Sequence, residues 1–200
     1  MVYAALGNGR YTSLEGGTIL SVTDPEIEQI AGLLRERNAI DAKIAKIISR
    51  PMTAGHLGEW LAARIFRIEL EPTAVTAAFD GRFTSGPLQG RRVNVKWYLK
   101  REGVLDLTKS ETLNYYLVLT GPASPALSSR GGTRPWCIES VCLFDAKQLL
   151  TELSSRGVRT GTASSVRNTQ WDAAEIYPRP NNPLITVEPE QAALLQLFVP

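Results

Sequence analysis

The sequence predicts an α/β fold, with a central mixed β-sheet flanked by helices and a long N-terminal helix. Three observations carry that reading. Residues Arg92 to Tyr98 alternate, with Val93, Val95 and Trp97 on one side and Asn94, Lys96 and Tyr98 on the other, which is a strand with one buried face. Tyr115 to Thr120, YYLVLT, is a continuous apolar run of the kind a strand carries when both its faces are covered. Strong helix starts, Asp24-Pro25-Glu26 and Asp145, stand on either side of these runs, and helices interleaved with strands define the α/β class.

Taken in order, residues 1–23 are rich in Gly, Ser and Thr without a clear period and read as an N-terminal arm or short hairpin. Residues 24–200 read as one domain, a length that suits a single sizeable core. The first helix spans Asp24 to about Ser49, with Asp24 as N-cap and Pro25 at the first helical position. On it Ile30, Leu33, Ile40, Ile44 and Ile47 fall near a seven-residue repeat that Arg37 interrupts. That stripe either packs on its own domain or forms a homodimer seam. Arg50-Pro51 breaks the helix, and Thr53 caps a second one that runs to about Arg67, with Leu57, Trp60, Leu61 and Ile65 as its core stripe.

Ile68 to Thr73 begins the sheet. Phe79 to Tyr98 reads as a short strand ended by Asp80, a turn through Ser85, Gly86, Pro87 and Gly90, and the alternating strand. A loop from Lys100 to Thr112 contains Asp106. After the YYLVLT strand, residues 121–135 form a Pro/Gly/Ser loop, followed by a strand from Trp136 to Phe144. Asp145 then caps a helix to about Ser155 that Gly157 stops. Arg159 to Val166 reads as a last strand, and Glu188 to Phe198 as a short amphipathic helix carrying Leu194, Leu195, Leu197 and Phe198.

Composition narrows the chemistry. A net charge of +2 allows a nucleic-acid partner only through a local basic surface. The single histidine, His56, removes HEXXH zinc sites, and a Ser-His-Asp triad would have to use it. The sequence has no phosphate-cradling GxxxxGK[ST] loop and no CxxC. Cys137 and Cys142 fall at odd spacing in one expected strand, on opposite faces. They read as reduced thiols of a cytoplasmic protein. No run is long enough to span a membrane, and no signal-peptide pattern opens the chain.

One constellation carries chemistry. Asn94 and Lys96 share a strand face beside Asp80 of the neighbouring strand, and Glu59 sits off the core stripe of the preceding helix among Gly55, Ala62 and Ala63. Read singly, Glu59 is a surface helix acid, Asp80-Gly81 an ordinary turn, and Lys96 a lysine snorkelling from a sheet face. His56 is a helix cap or a substrate contact. Read together, carboxylates, an amide and a lysine are what a hard divalent cation and a water need.

This arrangement of a helix acid, a strand Asp, a turn-containing spacer and a strand with x-x-Lys resembles the PD-(D/E)xK nuclease superfamily. The wider pattern GH-x-GE…DG-x-F…VN-x-KWY is also similar to bacterial proteins of this type. The resemblance implies a restriction-endonuclease-like fold and a Mg²⁺- or Mn²⁺-dependent DNA endonuclease acting in restriction, defence or repair. It implies Glu59, Asp80, Asn94 and Lys96 as catalytic residues. The metal would be held by Asp80 and Glu59, completed by Asn94 and the carbonyl of Val95. Asn94 stands where the family has Glu or Asp. The alternative is therefore a catalytically lost nuclease fold that binds nucleic acid or a protein, and a further one is an interaction protein that dimerises through the 24–49 helix. Phosphate and base contacts are expected from Arg82, Arg91, Arg92, Lys100, Arg130, Arg134, Arg167 and Asn168, with Arg101 and Gln170 nearby.

Overall fold

The computed structural model describes residues 3–6, 10–13, 24–72, 79–123 and 134–199. The chain divides into two compact units, Met1–Met52 and Thr53–Pro200.

In the first unit, β1 (Tyr3–Leu6) and β2 (Arg10–Ser13) pair antiparallel, with Tyr3 opposite Ser13. The helix α1 (Pro25–Ile48) starts where Asp24 Oδ1 accepts the amides of Glu26 and Ile27 at 3.0 and 3.3 Å. Glu26 and Glu28 lie in its first turn and Lys46 in its last, each complementing the helix dipole. Ser49 ends it in the left-handed region at φ 56°.

The second unit opens with α2 (Ala54–Ile65), which Thr53 caps by accepting the His56 amide at 3.1 Å. The strands β3 (Ile68–Leu70), β4 (Gly81–Phe83), β5 (Arg92–Tyr98), β6 (Val104–Leu105), β7 (Tyr115–Thr120) and β8 (Ser140–Asp145) follow. Then come α3 (Ala146–Ser155), β9 (Ser164–Ser165), α4 (Asn168–Ala174), β10 (Glu175–Tyr177) and α5 (Pro189–Gln196). Six strands form one sheet in the order β10-β8-β7-β5-β4-β3. Only β5 and β7 run parallel in it, with Val93 opposite Tyr115. The sheet is therefore mixed, and it is flanked by helices. β6 and β9 pair separately.

Alternation along the strands separates two cores. Val93, Val95 and Trp97 of β5, Leu117 and Leu119 of β7, and Val141 and Leu143 of β8 pack with Leu61, Ala62 and Ile65 of α2 and Leu195 of α5. Tyr116, Val118, Cys142 and Phe144 face the other way, toward Leu149 and Leu153 of α3 and Trp171 of α4. Burying each such side chain stabilises the fold by about 1.5–3 kcal/mol. Shortening fully buried Leu117 to Ala would cost about 2–5 kcal/mol, since a cavity would open between the sheet and the layer that holds α2.

Several expectations shift. Asp80 precedes β4 instead of ending a strand. β8 begins at Ser140, so Cys137 and Cys142 do not share a strand; both are buried and unpaired. The expected strand over 159–166 shrinks to β9, because Ser164 Oγ turns back on Gly161, accepting its amide and donating to its carbonyl. The helix α4 and the strand β10 were absent from the sequence reading. They form because Trp171 stacks edge-on against Phe144 at 5.1 Å and Asn182 Nδ2 donates to the Leu143 carbonyl at 2.7 Å. Leu194 of α5 and its C-cap Leu197 are exposed, while Gln191 is buried and donates to the Ile65 carbonyl at 2.9 Å. The loop residues 124–133 lie outside the described residues. Among the described residues no helix is long and apolar enough to cross a membrane.

Candidate functional site

The site forms where β4 stops pairing with β5. Their register ends at Gly81 opposite Val93. Asp80 still donates its amide to the Val93 carbonyl at 2.9 Å and accepts the Glu71 amide at 2.9 Å. Two residues further along β5, the Asp80 side chain replaces backbone: Oδ2 accepts the Val95 amide at 2.6 Å. A residue's amide and carbonyl leave an extended strand on the same side, so the Val95 carbonyl also opens onto this edge. Gly81 lets β3 approach the start of β4, because a Cβ there would collide with the Glu69 carbonyl oxygen and Ile68 Cγ2.

The gap beyond β4 is a cleft of about 240 Å³ lined by Gly55, Glu59, Asp80, Asn94, Val95, Lys96, Trp97, Tyr98 and Asp106. Glu59 reaches it because α2 lies close on β5. A Cβ on Gly58 would stand 2.8 Å from Trp97 Cβ, so glycine sets the approach of the helix that carries Glu59. The structure thus gathers Glu59, Asp80, Asn94, Val95 and Lys96 around one space.

Two titratable cleft residues, Tyr98 and Asp106, had no part in the sequence-derived site. Tyr98 follows Lys96 on the same strand face. Its hydroxyl accepts the Asp106 amide at 2.8 Å. Burial, with the Asp106 charge adding to it, pushes the Tyr98 phenol up to about 12. Asp106 is pinned a second time, its Oδ1 accepting the Ala163 amide at 2.8 Å. The period-two rule could have singled out Tyr98. No local pattern marks Asp106, which reaches the cleft only through tertiary contacts.

A divalent cation suits this donor set. Asn94 Oδ1 is buried with no hydrogen-bond partner among the described residues. A buried acceptor left without a donor is costly, and a hard cation would satisfy it. The carboxylates of Glu59 and Asp80 supply charged oxygens on the same cleft. Asp106 does not bring a third acid close enough to share an ion: among the described residues no group of three or more His, Cys, Asp or Glu is placed to hold one.

The expected nucleic-acid contacts fare unequally. Arg82 and Arg92 flank the Phe79 ring, with guanidinium carbons 5.2 and 4.9 Å from its centroid. Arg82 also pairs with Glu71 at 3.3 Å. Arg91 is exposed beside them, and Arg167 and Asn168 are exposed at the start of α4. Lys100 does not fit the expectation of a surface phosphate contact. It is only 8% exposed, and its ammonium lies 4.0 Å from Glu102, which Arg134 also engages at 3.0 Å. Arg130 lies outside the described residues.

No protein-family model matches this sequence, and a search of curated proteins returns no match.

Proposed function

We propose that the protein is a Mg²⁺-dependent DNA endonuclease of the PD-(D/E)xK type, with a restriction-endonuclease-like fold. The observation that carries this reading is the orphaned Asn94 Oδ1, buried in the cleft that Glu59, Asp80 and Lys96 also line. Asp80 and Glu59 would hold the cation, with Asn94 Oδ1 and the Val95 carbonyl as neutral oxygens. A bound Mg²⁺ would supply charge neutralisation at the scissile phosphate and an acidified water. Lys96 would hold the attacking water or balance charge that builds on the phosphate oxygens. Tyr98, kept protonated by burial, would offer a hydroxyl rather than a charge. The exposed guanidinium of Arg91 and the ring-flanking Arg82 and Arg92 would neutralise neighbouring phosphates.

The second reading is a nuclease fold without cleavage that binds nucleic acid or a protein through the same cleft. It is favoured by Asn94 itself, a neutral amide at a position where a carboxylate would bind the cation more tightly. The test is calorimetric titration of Mn²⁺ and Mg²⁺ into the full chain, alongside cleavage of plasmid and single-stranded DNA with each metal. Metal binding with cutting supports the endonuclease. Nucleic-acid binding without cutting, at saturating Mn²⁺, supports the second reading. Neither binding nor cutting removes both.

A further inference from the structure

The helix α1 is 24 residues long, about 36 Å at 1.5 Å per residue, and water-exposed over most of its surface. Ile27, Ile30, Leu33, Leu34, Ile40 and Ile47 are each more than half exposed. Helices of this kind draw most of their stability from burying an apolar face, and a stripe this large marks an interaction surface.

We propose that α1 packs antiparallel against α1 of a second copy of this chain. Setting Ile30, Arg37 and Ile44 at position a of a seven-residue repeat places Leu33, Ile40 and Ile47 at d. The flanking positions then decide orientation. Glu36 and Lys43 fall at g, and Asp41 at e. In a parallel pair each g residue faces the following e residue of the other helix. Glu36 would meet Asp41 of the second copy, twice, and Arg37 would face Arg37 across the seam. Like charges at those positions oppose pairing.

In an antiparallel pair g faces g. Glu36 then meets Lys43 of the second copy, and the reciprocal pair forms by symmetry. The seam layers become Ile30 with Ile47, Leu33 with Ile44, and Arg37 with Ile40 of the second copy. Arg37 no longer confronts its own kind. Its guanidinium already lies 3.7 Å from Asp41 on its own helix, so its charge is compensated beside the seam. The interface is isologous, as closed dimers require, and its apolar layers match end to end.

Glu36 and Lys43 are both exposed, so charge reversals there leave the fold of the single chain intact. The experiment is sedimentation equilibrium on the full chain, wild type against Glu36→Lys, Lys43→Glu and the double variant, with circular dichroism to verify helix content. The expected result is a wild-type dimer. Each single reversal should raise its dissociation constant by about tenfold, and the double variant should restore it, because the opposite pairs form with signs exchanged. Ile30→Asp, which would set a carboxylate against Ile47 of the second copy, should give a monomer. Tightening by Glu36→Lys alone, which would set a lysine against Asp41 in a parallel pair, overturns the proposal. So does a wild type that stays monomeric at the highest attainable concentration, or a dimer indifferent to all three single substitutions.

Discussion

The carboxylate of Asp80 occupies the place of a backbone acceptor: its Oδ2 takes the Val95 amide at 2.6 Å, two residues beyond Val93, the last position of β5 paired with β4. A single side chain therefore both ends the β4–β5 ladder and presents a charged oxygen to the cleft.

The two roles separate by substitution. Asp80→Asn keeps an oxygen for the Val95 amide but removes the charge, and should cost about 1 kcal/mol of folding stability. Asp80→Ala leaves that amide without its acceptor and should cost about 1–3 kcal/mol. Both should lose Mn²⁺ binding. Urea unfolding and calorimetric titration of the two variants check this. Wild-type affinity for Mn²⁺ in Asp80→Asn would remove Asp80 from the proposed metal site.

At Asn94 stability and binding should move in opposite directions. Its Oδ1 is buried without a partner among the described residues, so Asn94→Leu should leave the metal-free protein as stable as wild type, or more so. Asn94→Asp should destabilise the metal-free protein by burying a charge, tighten Mn²⁺ and Mg²⁺ binding, and recover stability when metal is added. In wild type, Mn²⁺ should support activity better than Mg²⁺, because it tolerates neutral ligands more readily. Denaturation curves with and without Mn²⁺ give the comparison. Equal metal affinity in wild type and Asn94→Asp would contradict it.

Binding to DNA should weaken as salt rises, since each phosphate contact releases counterions. Replacing Arg91 and Arg92 together with Ala should reduce the slope of log K against log salt by about 2, roughly one for each lost contact. Lys100→Ala should leave the slope unchanged and lower the unfolding midpoint, because Lys100 is buried beside Glu102. Fluorescence anisotropy across a salt series, paired with thermal melts, distinguishes the two outcomes.

The alkaline limb of stability should follow buried acids. Burial pushes the Cys142 thiol up to about 12 and the Tyr98 phenol to about 12. Both groups are neutral when protonated, and the unfolded chain loses those protons first. Above the ordinary thiol range the unfolded state thus binds fewer protons than the folded one, and stability falls as pH rises toward about 12. At neutral pH neither group titrates in either state. Urea midpoints should drop between pH 8 and about 10.5, and Cys142→Ala should drop less. The same burial predicts that Cys142 resists alkylation until the protein unfolds. A flat pH profile, or rapid labelling of Cys142 in the native state, would contradict the assignment.

Much of the sheet was legible because local rules and tertiary burial coincide there. The alternation of Arg92 to Tyr98 returns as a strict burial pattern in β5, and YYLVLT lies buried between two helical layers in β7. Thr53 and Asp145 cap α2 and α3, as short polar side chains ahead of apolar-periodic runs should. The juxtaposition of Glu59, Asp80, Asn94 and Lys96 in one cleft was legible from a period of two on the strand and an off-stripe acid on the helix.

Other features depend on contacts between residues far apart in sequence. Lys100 looks like any solvated lysine until the fold brings Glu102 and Arg134 around it. Asp106 enters the cleft only because Tyr98 and Ala163, one eight residues before it and the other 57 after, hold its two ends. The helix α4 and strand β10 depend on Trp171 finding Phe144, an aromatic contact worth more than the weak helix preference of the short segment that carries it. Sequence by itself determined the faces of β5 and β7 and the starts of α1, α2 and α3, because those follow from periods and caps within a few residues. Tertiary structure alone decided where β4 stops, which buried oxygen lacks a donor, and which charges are spent on one another, because each rests on a through-space distance that no local spacing encodes.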